Sequence, residues 1–169
     1  FRQHWMQTPD DQVEAQLLTF SLQPIEAIRA IVAEHDDAPH LRFAQRALAD
    51  EMTALVHGAP AAVAAAEAAD LLFSRDPTAA SPEAFTTLAA EIPTSTLTMA
   101  DLDDPVSVFV GAGLASSNGD ARRSFGQRSF YANGVQLDED SQLNALELVH
   151  GRYLLLRKGK KSHHLVEIS

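Results

Sequence analysis

Residues 114–137 read LASSNGDARRSFGQRSFYANGVQL, and this stretch decides the fold of the last third of the chain. Ser117, followed three residues later by Asp120, is the pattern of a capping box, and it predicts a helix that ends near Gly126. Asn133-Gly134 lies between two short apolar runs and is the commonest residue pair of a type I′ hairpin. The stretch therefore predicts a helix followed by an antiparallel hairpin.

Further strands are predicted after this hairpin, at residues 153–157 and 163–168. Another helix is predicted upstream, because Asp104-Pro105 combines a capping acid with proline at the first helical position. Gly113 is expected to end that helix. Residues 106–169 are therefore predicted to form a small α+β domain.

The chain before residue 93 is predicted to be all helical. Apolar side chains between Leu41 and Leu55 recur at three- and four-residue spacing, which is typical of an amphipathic helix. Gly58 follows them in the position where glycine commonly ends a helix. Helices are predicted over residues 10–20, from Pro24 onward, and over residues 39–58, 60–74 and 81–91. A helical domain followed by a small α+β domain makes the chain α+β overall.

Residues 93–105 separate the two parts and differ from both in character. They are rich in threonine and aspartate and lack helical periodicity, which is typical of a connecting segment. The sequence therefore predicts a helical domain at residues 1–92, a linker at residues 93–105 and a second domain at residues 106–169. Flexibility is expected between the two domains.

Charge is distributed unevenly along the chain. The formal net charge of the 169 residues is −10, which by itself argues against a nucleic-acid partner. Residues 1–100 carry 14 acidic and 5 basic side chains, whereas residues 106–169 carry 6 acidic and 8 basic ones. Opposite signs favour two separate modules, and the basic one is the better candidate for an anionic partner.

Composition excludes several classes of protein. The chain has no cysteine, so a disulfide framework and cysteine-ligated zinc are excluded, and a reducing compartment is compatible. No apolar run approaches the roughly 20 residues that span a bilayer, so no membrane partner is expected. The first residues lack the apolar segment of a signal peptide. Because the chain begins at Phe1, we expect a processed protein or a fragment of a longer one.

Basic side chains gather on the predicted helix of the quoted stretch and at a later turn. These cations are Arg122, Arg123, Arg128, Arg157, Lys158, Lys160 and Lys161. Guanidinium and ammonium groups bind phosphate oxygens, and Tyr131 is available to stack on a base, so the set is typical of an RNA-binding surface. An ordinary solvated charged surface is the alternative interpretation.

No complete catalytic or metal site is visible in the sequence. His163-His164 are adjacent on a predicted strand and so point to opposite faces, and no histidine spacing matches a metal-binding motif. The acidic runs at residues 36–37 and 138–140 are more typical of solvated loops than of acid–base pairs. Glycine-rich phosphate loops and GxSxG elbows are absent. We therefore predict no catalytic residue and no metal site in this chain.

The C-terminal part resembles the S4 RNA-binding fold. The resemblance rests on residues 109–114 (FVGAGL), Ser117, residues 121–123 (ARR) and residues 131–134 (YANG). S4 modules occur in a ribosomal protein, pseudouridine synthases, a heat-shock ribosome-binding protein and bacterial tyrosyl-tRNA synthetases. These residues alone therefore leave the class of protein open.

The helical part resembles one of these classes, the bacterial tyrosyl-tRNA synthetases. Residues 48–58 (LADEMTALVHG) resemble a helix of that family, and residues 71–74 (LLFS) resemble the end of the helix that follows. Residues 5–8 (WMQT) resemble the segment just after the catalytic domain. Residues 151–153 and 157–161 resemble the last strands and their basic turn. The likeness follows the family's order over nearly the whole chain.

The resemblance implies a role in attaching tyrosine to its tRNA. The helical domain would be the anticodon-binding part of a class I synthetase, and the S4-like domain would hold tRNA(Tyr), including its long variable arm. The family's HIGH-type and KMSKS-type ATP motifs lie upstream and are missing here. ATP and magnesium are therefore implied only for the full-length enzyme, and this chain alone is expected to hold no cofactor and to be inactive. The full-length enzyme is expected in the cytoplasm, as a homodimer formed through its catalytic domain.

Two departures from the family pattern change the expected RNA contacts. Asn118 and Gly119 stand where the family usually has basic residues after the capping serine, and His163-His164 replace an aromatic pair near the end. Binding is therefore expected to depend on the cations that remain. The predicted RNA-binding set is Arg122, Arg123, Arg128, Tyr131, Asn133, Arg157, Lys158, Lys160 and Lys161.

The sequence leaves two alternatives open. A stand-alone S4-type protein that binds ribosomal RNA fits the S4 residues equally well, although residues 48–58 count against it. A structural or protein-interaction module would need no RNA contact from the cations. Steep weakening of binding by salt would distinguish phosphate contacts from such a module.

Overall fold

The computed structural model of the protein describes residues 1–72 and 76–169. The chain divides into two compact units, Phe1–Ala66 and Glu67–Ser169, named here the helical unit and the sheet unit. Regular structure in the first is helical, and the second combines helices with a five-stranded sheet. The predicted α+β fold, with its helical part first, is confirmed. No helix in the described part of the chain is long and apolar enough to cross a membrane.

The helical unit is built around one apolar cluster. Its helices are α1 (Arg2–Met6), α2 (Asp10–Phe20), α3 (Ile25–Asp37), α4 (Phe43–His57) and the first part of α5 (Ala59–Leu71). Leu17, Ile28 and Leu48 lie in this cluster and are at most 4% exposed. Burying one such side chain contributes about 1.5–3 kcal/mol, so the cluster holds α2, α3 and α4 together. Residues 73–74, predicted to end the fifth helix, lie outside the described residues.

One carboxylate fixes the loop between α2 and α3. Glu51 on α4 accepts hydrogen bonds from Ser21 Oγ at 2.6 Å and from Gln23 Nε2 at 2.9 Å. It also accepts one from the Leu22 N–H at 2.7 Å, so a single side chain holds three consecutive residues of the loop. Partial burial alone would raise the pKa of Glu51, but these three hydrogen bonds together lower it below its ordinary value.

The predicted start of α4 is wrong. The pattern predicts a helix from Pro39, whereas Pro39–Leu41 form a short 3-10 turn and α4 begins at Phe43. Arg42 separates the two with a left-handed backbone at a φ of 54°. Its guanidinium donates to the Met6 carbonyl at 2.6 Å and to the Thr8 carbonyl at 3.2 Å. These contacts, made far along the chain, stabilise a conformation that local sequence does not favour.

Five strands form one mixed sheet in the sheet unit. Their order is β1-β5-β4-β2-β3, with β1 parallel to β5 and the other neighbouring pairs antiparallel. The elements of this unit after α5 are α6 (Pro82–Glu91), β1 (Thr94–Leu97), α7 (Pro105–Gly111), α8 (Asn118–Gly126), β2 (Phe130–Ala132), β3 (Val135–Gln136), β4 (Tyr153–Lys158) and β5 (Ser162–Ile168). The predicted hairpin and the two later strands are confirmed.

Three phenylalanines fill the core between the sheet and the helices α7 and α8. Phe109, Phe125 and Phe130 are each at most 4% exposed and share a cluster with Leu154 and Leu156 of β4. The rings of Phe109 and Phe130 stack with centroids 4.0 Å apart. Because these aromatics come from a helix, the next helix and a strand, the cluster holds α7, α8 and the sheet together.

The opposite face of the sheet packs on α6. Alternation along β4 places Tyr153 and Leu155 on this face, where they join Leu165 of β5. Phe85 of α6 stacks on Tyr153 with ring centroids 5.1 Å apart. The helix α6 therefore belongs to the sheet unit, although the sequence assigned it to the helical domain.

Residues 93–105, interpreted from the sequence as a linker, contain regular structure. Thr94–Leu97 form β1, which pairs with β5 from Thr94↔Leu165 to Leu97↔Ile168. As an edge strand β1 has one side open to solvent, so its polar composition is that of an edge and resembles a loop. The division between the units also falls at Ala66 and Glu67 rather than at residues 93–105.

Side-chain caps begin the two helices that precede the hairpin. Asp104 accepts from the Ser107 N–H at 3.2 Å at the start of α7, and Ser117 Oγ accepts from the Asp120 N–H at 3.2 Å at the start of α8. The Asp120 carboxylate accepts from the Ser116 N–H at 3.0 Å. In the predicted capping box, the acid therefore accepts from the N–H of Ser116, one residue before the expected donor, Ser117.

Left-handed residues lie at the predicted turns. Gly58 ends α4 with a φ of 91°. Asn133 and Gly134 have φ values of 46° and 80°, as a type I′ hairpin turn requires. Positive φ is cheap for glycine and tolerable for asparagine, so these turns were readable from residue type alone.

Candidate nucleic-acid interface

Four cations lie within five residues at the end of β4 and in the turn that leads to β5. All three lysines of the sequence, Lys158, Lys160 and Lys161, lie here beside Arg157. Gly159 has a φ of 61°, a left-handed backbone that lets the two strands reverse direction tightly. Lys160 and Lys161 are exposed, so their ammonium groups are open to an anionic partner.

Tyr131 and Arg157 form a stacked pair beside this turn. They are direct partners in the pairing of β2 with β4, so both side chains project from the same face of the sheet. The Arg157 guanidinium lies over the Tyr131 ring, 4.2 Å from its centroid. A groove of about 850 Å³ runs beside the pair, and its lining includes Tyr131, Gly134, Arg157, Gly159, Lys160 and Lys161. The structure thus brings four of the predicted residues into one groove.

Two other predicted cations converge on Asp120. Lys158 Nζ lies 3.3 Å from Asp120 Oδ2, and the Arg123 guanidinium lies 3.8 Å from Oδ1. Hydrogen bonds from the Ser116 N–H and from Lys158 lower the pKa of Asp120 below its ordinary value. The carboxylate is therefore charged at neutral pH and competes with phosphate for both cations.

Arg128 and Arg122 differ in their partners. Arg128 follows α8 with a φ of 52°, and its guanidinium lies 3.5 Å from Asp138 Oδ2. Gln136 Nε2 donates to the Arg128 carbonyl at 2.8 Å, which joins the end of α8 to the hairpin. Arg122 is exposed, makes no ion pair with any described residue, and acts on the Asp104 carboxylate at longer range.

The side chain of Asn133 is used inside the fold. Its Nδ2 donates to the Glu147 carbonyl at 2.9 Å, and its Oδ1 accepts from the Leu155 N–H at 2.8 Å. The Asn133 N–H donates to the Leu155 carbonyl at 2.9 Å as well. The amide therefore holds the hairpin turn in place, which is a different use from the predicted RNA contact.

His163 belongs to the same face, and the sequence did not predict it. It is the direct partner of Arg157 in the pairing of β4 with β5, so Tyr131, Arg157 and His163 form a row across three strands. Its Nε2 donates to the Leu72 carbonyl at 2.9 Å. Burial lowers the pKa of His163 below its ordinary value, and the nearby Arg157 lowers it further, so the ring is neutral at neutral pH. Alternation along β5 places His163 on one face of the sheet, and this could be read from the sequence. Only the strand register shows that Arg157 is its direct partner.

Among the residues that the structure describes, no group of three or more His, Asp or Glu side chains could hold a metal ion. The groove beside the turn is lined by cations, which repel a metal ion and attract phosphate. Its chemistry is that of anion binding.

Comparison with known proteins assigns the chain to a family. Residues 84–166 match the model of the tyrosine–tRNA ligase SYY-like C-terminal domain. The chain is also 39% identical over 172 residues to the tyrosine–tRNA ligase of Anaeromyxobacter dehalogenans strain 2CP-1, an alignment that covers 99% of it. This chain belongs to the tyrosine–tRNA ligase family.

Other tyrosine–tRNA ligases show the same extent of likeness. That of Kineococcus radiotolerans is 42% identical over 165 residues, covering 96% of this chain and 39% of the relative. That of Streptomyces griseus is 36% identical over 170 residues, covering 99% of this chain and 40% of the relative. The chain spans about two fifths of the length of these curated relatives, and the matching model is that of a C-terminal domain. These relatives favour the ligase family over a stand-alone S4-type protein.

Proposed function

We propose that this chain binds tRNA(Tyr) as the C-terminal portion of a tyrosine–tRNA ligase. The observation that carries the proposal is the groove beside the β4–β5 turn. Arg157, Lys160 and Lys161 meet there, and none has a carboxylate partner among the described residues. Cations without a carboxylate partner are suited to backbone phosphates, and family membership supplies the identity of the RNA.

The cations of the S4-like part act on RNA in two ways. Lys160 and Lys161 bind phosphates as point charges, and Arg122 adds a planar guanidinium that can hold two phosphate oxygens at once. The cations paired with Asp120 and Asp138 contribute mainly to the positive field that attracts the RNA. Contacts of this kind position the RNA without reading its bases.

The helical unit binds the same tRNA through different chemistry. Its 9 acidic and 4 basic side chains disfavour phosphate binding, so the anticodon is read by hydrogen bonds to base edges. The S4-like part holds the long variable arm. The full-length enzyme attaches tyrosine to its tRNA at the expense of ATP, as a cytoplasmic homodimer, through a catalytic domain that this chain does not contain.

A binding titration tests the proposal. The chain is titrated with transcripts of tRNA(Tyr) and of tRNAs lacking a long variable arm, each at several salt concentrations. We expect tighter binding of tRNA(Tyr), and a log–log salt slope that gains roughly −0.9 for each duplex phosphate neutralised. Equal weak binding of all the tRNAs would contradict the proposal.

A double variant in the β4–β5 turn tests whether the groove binds tRNA. K160A/K161A should weaken tRNA(Tyr) binding about tenfold or more and flatten the salt slope, because two phosphate contacts are lost. The matched control is R152A, since Arg152 is an exposed cation outside the groove that pairs with Glu167. Equal losses in the variant and the control would remove the turn from the binding site.

A further inference from the structure

We infer that the groove beside the β4–β5 turn holds one unpaired nucleotide, whose base stacks on the Arg157 guanidinium. This inference rests on the proposed tRNA-binding function and adds the class of ligand that the groove accepts. The occupant is a nucleotide whose base is free of the helical stack, and a continuous stretch of duplex backbone does not meet the requirement.

A row of planar groups crosses β2, β4 and β5. Tyr131 pairs directly with Arg157, and Arg157 pairs directly with His163, so the three side chains stand side by side on one face. Neighbouring strands lie about 4.8 Å apart, so the row extends roughly 10 Å across the sheet. A base offers a flat π face that stacks on aromatic rings and on guanidinium planes.

Both ends of this row are fixed within the fold. Gln136 Nε2 donates to the Tyr131 hydroxyl at 3.2 Å. His163 donates to the Leu72 carbonyl at 2.9 Å, and burial favours its neutral form. A platform held in this way loses little conformational freedom when a base binds to it.

The Arg157 guanidinium is 4.2 Å from the centroid of the Tyr131 ring, it is half-buried, and no carboxylate among the described residues pairs with it. A guanidinium plane stacks on planar groups, and the Arg157 side chain lines the groove, where a base can reach it. Arg157 is thus a stacking residue, which differs from the phosphate contact that its charge alone suggests.

The walls of the groove fit a nucleotide. Gly134 and Gly159 line it without side chains, and a Cβ built on Gly159 would meet no atom within 4 Å. Lys160 and Lys161 stand beside this opening, where they can bind the phosphates on either side of a stacked base. Inside a duplex each base is covered by its neighbours on both sides, whereas an unpaired nucleotide can expose its face to Arg157.

The test distinguishes the contribution of the planar guanidinium at position 157 from the contribution of its positive charge. R157K keeps the positive charge and removes the plane, so tRNA(Tyr) binding should weaken about tenfold with the salt slope unchanged. K160A should instead reduce the magnitude of the salt slope by about 0.7, because one phosphate contact is lost. R152K is the matched control and should bind like the wild-type chain. Y131L is the second variant, and circular dichroism checks that each protein is folded.

Ultraviolet cross-linking identifies the occupant. The complex of the wild-type chain with a tRNA(Tyr) transcript is irradiated, digested and mapped by mass spectrometry. We expect the peptide that contains Tyr131 or Arg157 to cross-link to a nucleotide that is unpaired in the tRNA.

The outcomes distinguish this inference from the proposed function. Normal affinity of both R157K and Y131L, or a cross-link to a paired stem nucleotide, overturns the stacking inference while tRNA binding stands. Loss of affinity in R157K with a flattened salt slope also overturns it, because Arg157 would then be a phosphate contact. Failure of the wild-type chain to prefer tRNA(Tyr) overturns the proposed function and this inference together.

Discussion

Individual cations of the two units have different partners. In the helical unit Arg2 pairs with Asp50 at 2.7 Å, and Arg42 donates to two carbonyls. In the sheet unit Lys160 and Lys161 have no described partner and line a groove. Both units are acidic overall, with 9 acidic against 4 basic side chains in residues 1–66 and 14 against 9 in residues 67–169. Net charge therefore does not identify the binding surface, whereas the pairing of individual cations does.

The largest effect is expected from a substitution that destabilises the sheet unit and leaves the helical unit nearly unchanged. F109A removes a fully buried ring from the aromatic cluster and should lower the free energy of unfolding of the sheet unit by about 3–5 kcal/mol. Amide hydrogen exchange should rise in β2, β4 and β5, with much smaller changes in α2, α3 and α4. Equal increases in both units would show that F109A destabilises the helical unit as much as the sheet unit.

A smaller effect is expected at the hairpin turn. N133A removes two side-chain hydrogen bonds and leaves the Leu155 N–H and the Glu147 carbonyl without their partner, at a cost of about 1–3 kcal/mol. Urea denaturation measures this cost. N144A is the control, because Asn144 makes one exposed hydrogen bond to Asp103, and its cost should stay below about 1 kcal/mol. Unchanged stability with weakened RNA binding would instead support the predicted RNA contact of Asn133.

The contrast between paired and unpaired cations can be sharpened at Asp120. D120N removes the charge that holds Lys158 and Arg123, so both become available to phosphate. We expect tRNA(Tyr) affinity to rise by about twofold to fivefold and the salt slope to steepen. A fall in affinity, measured with the fold intact, would mean that Asp120 positions these cations for binding.

The smallest expected effect is a dependence of stability on pH. Burial lowers the pKa of His163 and of His164 below the ordinary value of 6.5, so the unfolded chain binds protons more readily than the folded one. Stability should be full above that ordinary value and should fall as the pH drops below it, until the lower folded pKa values are reached.

Thermal unfolding between pH 7.5 and 5.5 measures this dependence. A double variant, H163Q/H164Q, should show a flatter profile than the wild-type chain, whatever its absolute stability. An equally steep profile in the double variant would place the titrating groups elsewhere.

Local signals predicted most of the fold. The caps at Asp104 and Ser117 and the Asn133-Gly134 turn depend on residues within three positions of one another, so the sequence displays them directly. The start of α4 was missed because Arg42 is held by carbonyls more than 30 residues away. The strand β1 was missed because its partner, β5, lies near the other end of the chain.

Most residues of the candidate site could be predicted from the sequence, but their contacts with one another could not. Residue type identified the cations, whereas their availability depends on distant partners such as Asp120, 38 positions from Lys158. The row of Tyr131, Arg157 and His163 depends on the register of three strands. A one-residue slip in either pairing would move one of these side chains to the other face of the sheet.

The placement of every lysine of this chain at the end of β4 and in the following turn makes the chain selectively addressable by amine chemistry. Apart from the terminal amino group, an acylating reagent finds primary amines only at Lys158, Lys160 and Lys161. A fluorophore attached through these amines would report occupancy of the groove without an engineered cysteine. Enzymatic acetylation would neutralise the same three groups, of which Lys160 and Lys161 are exposed. A single modified loop could thus tune the affinity of the chain for polyanions independently of its stability.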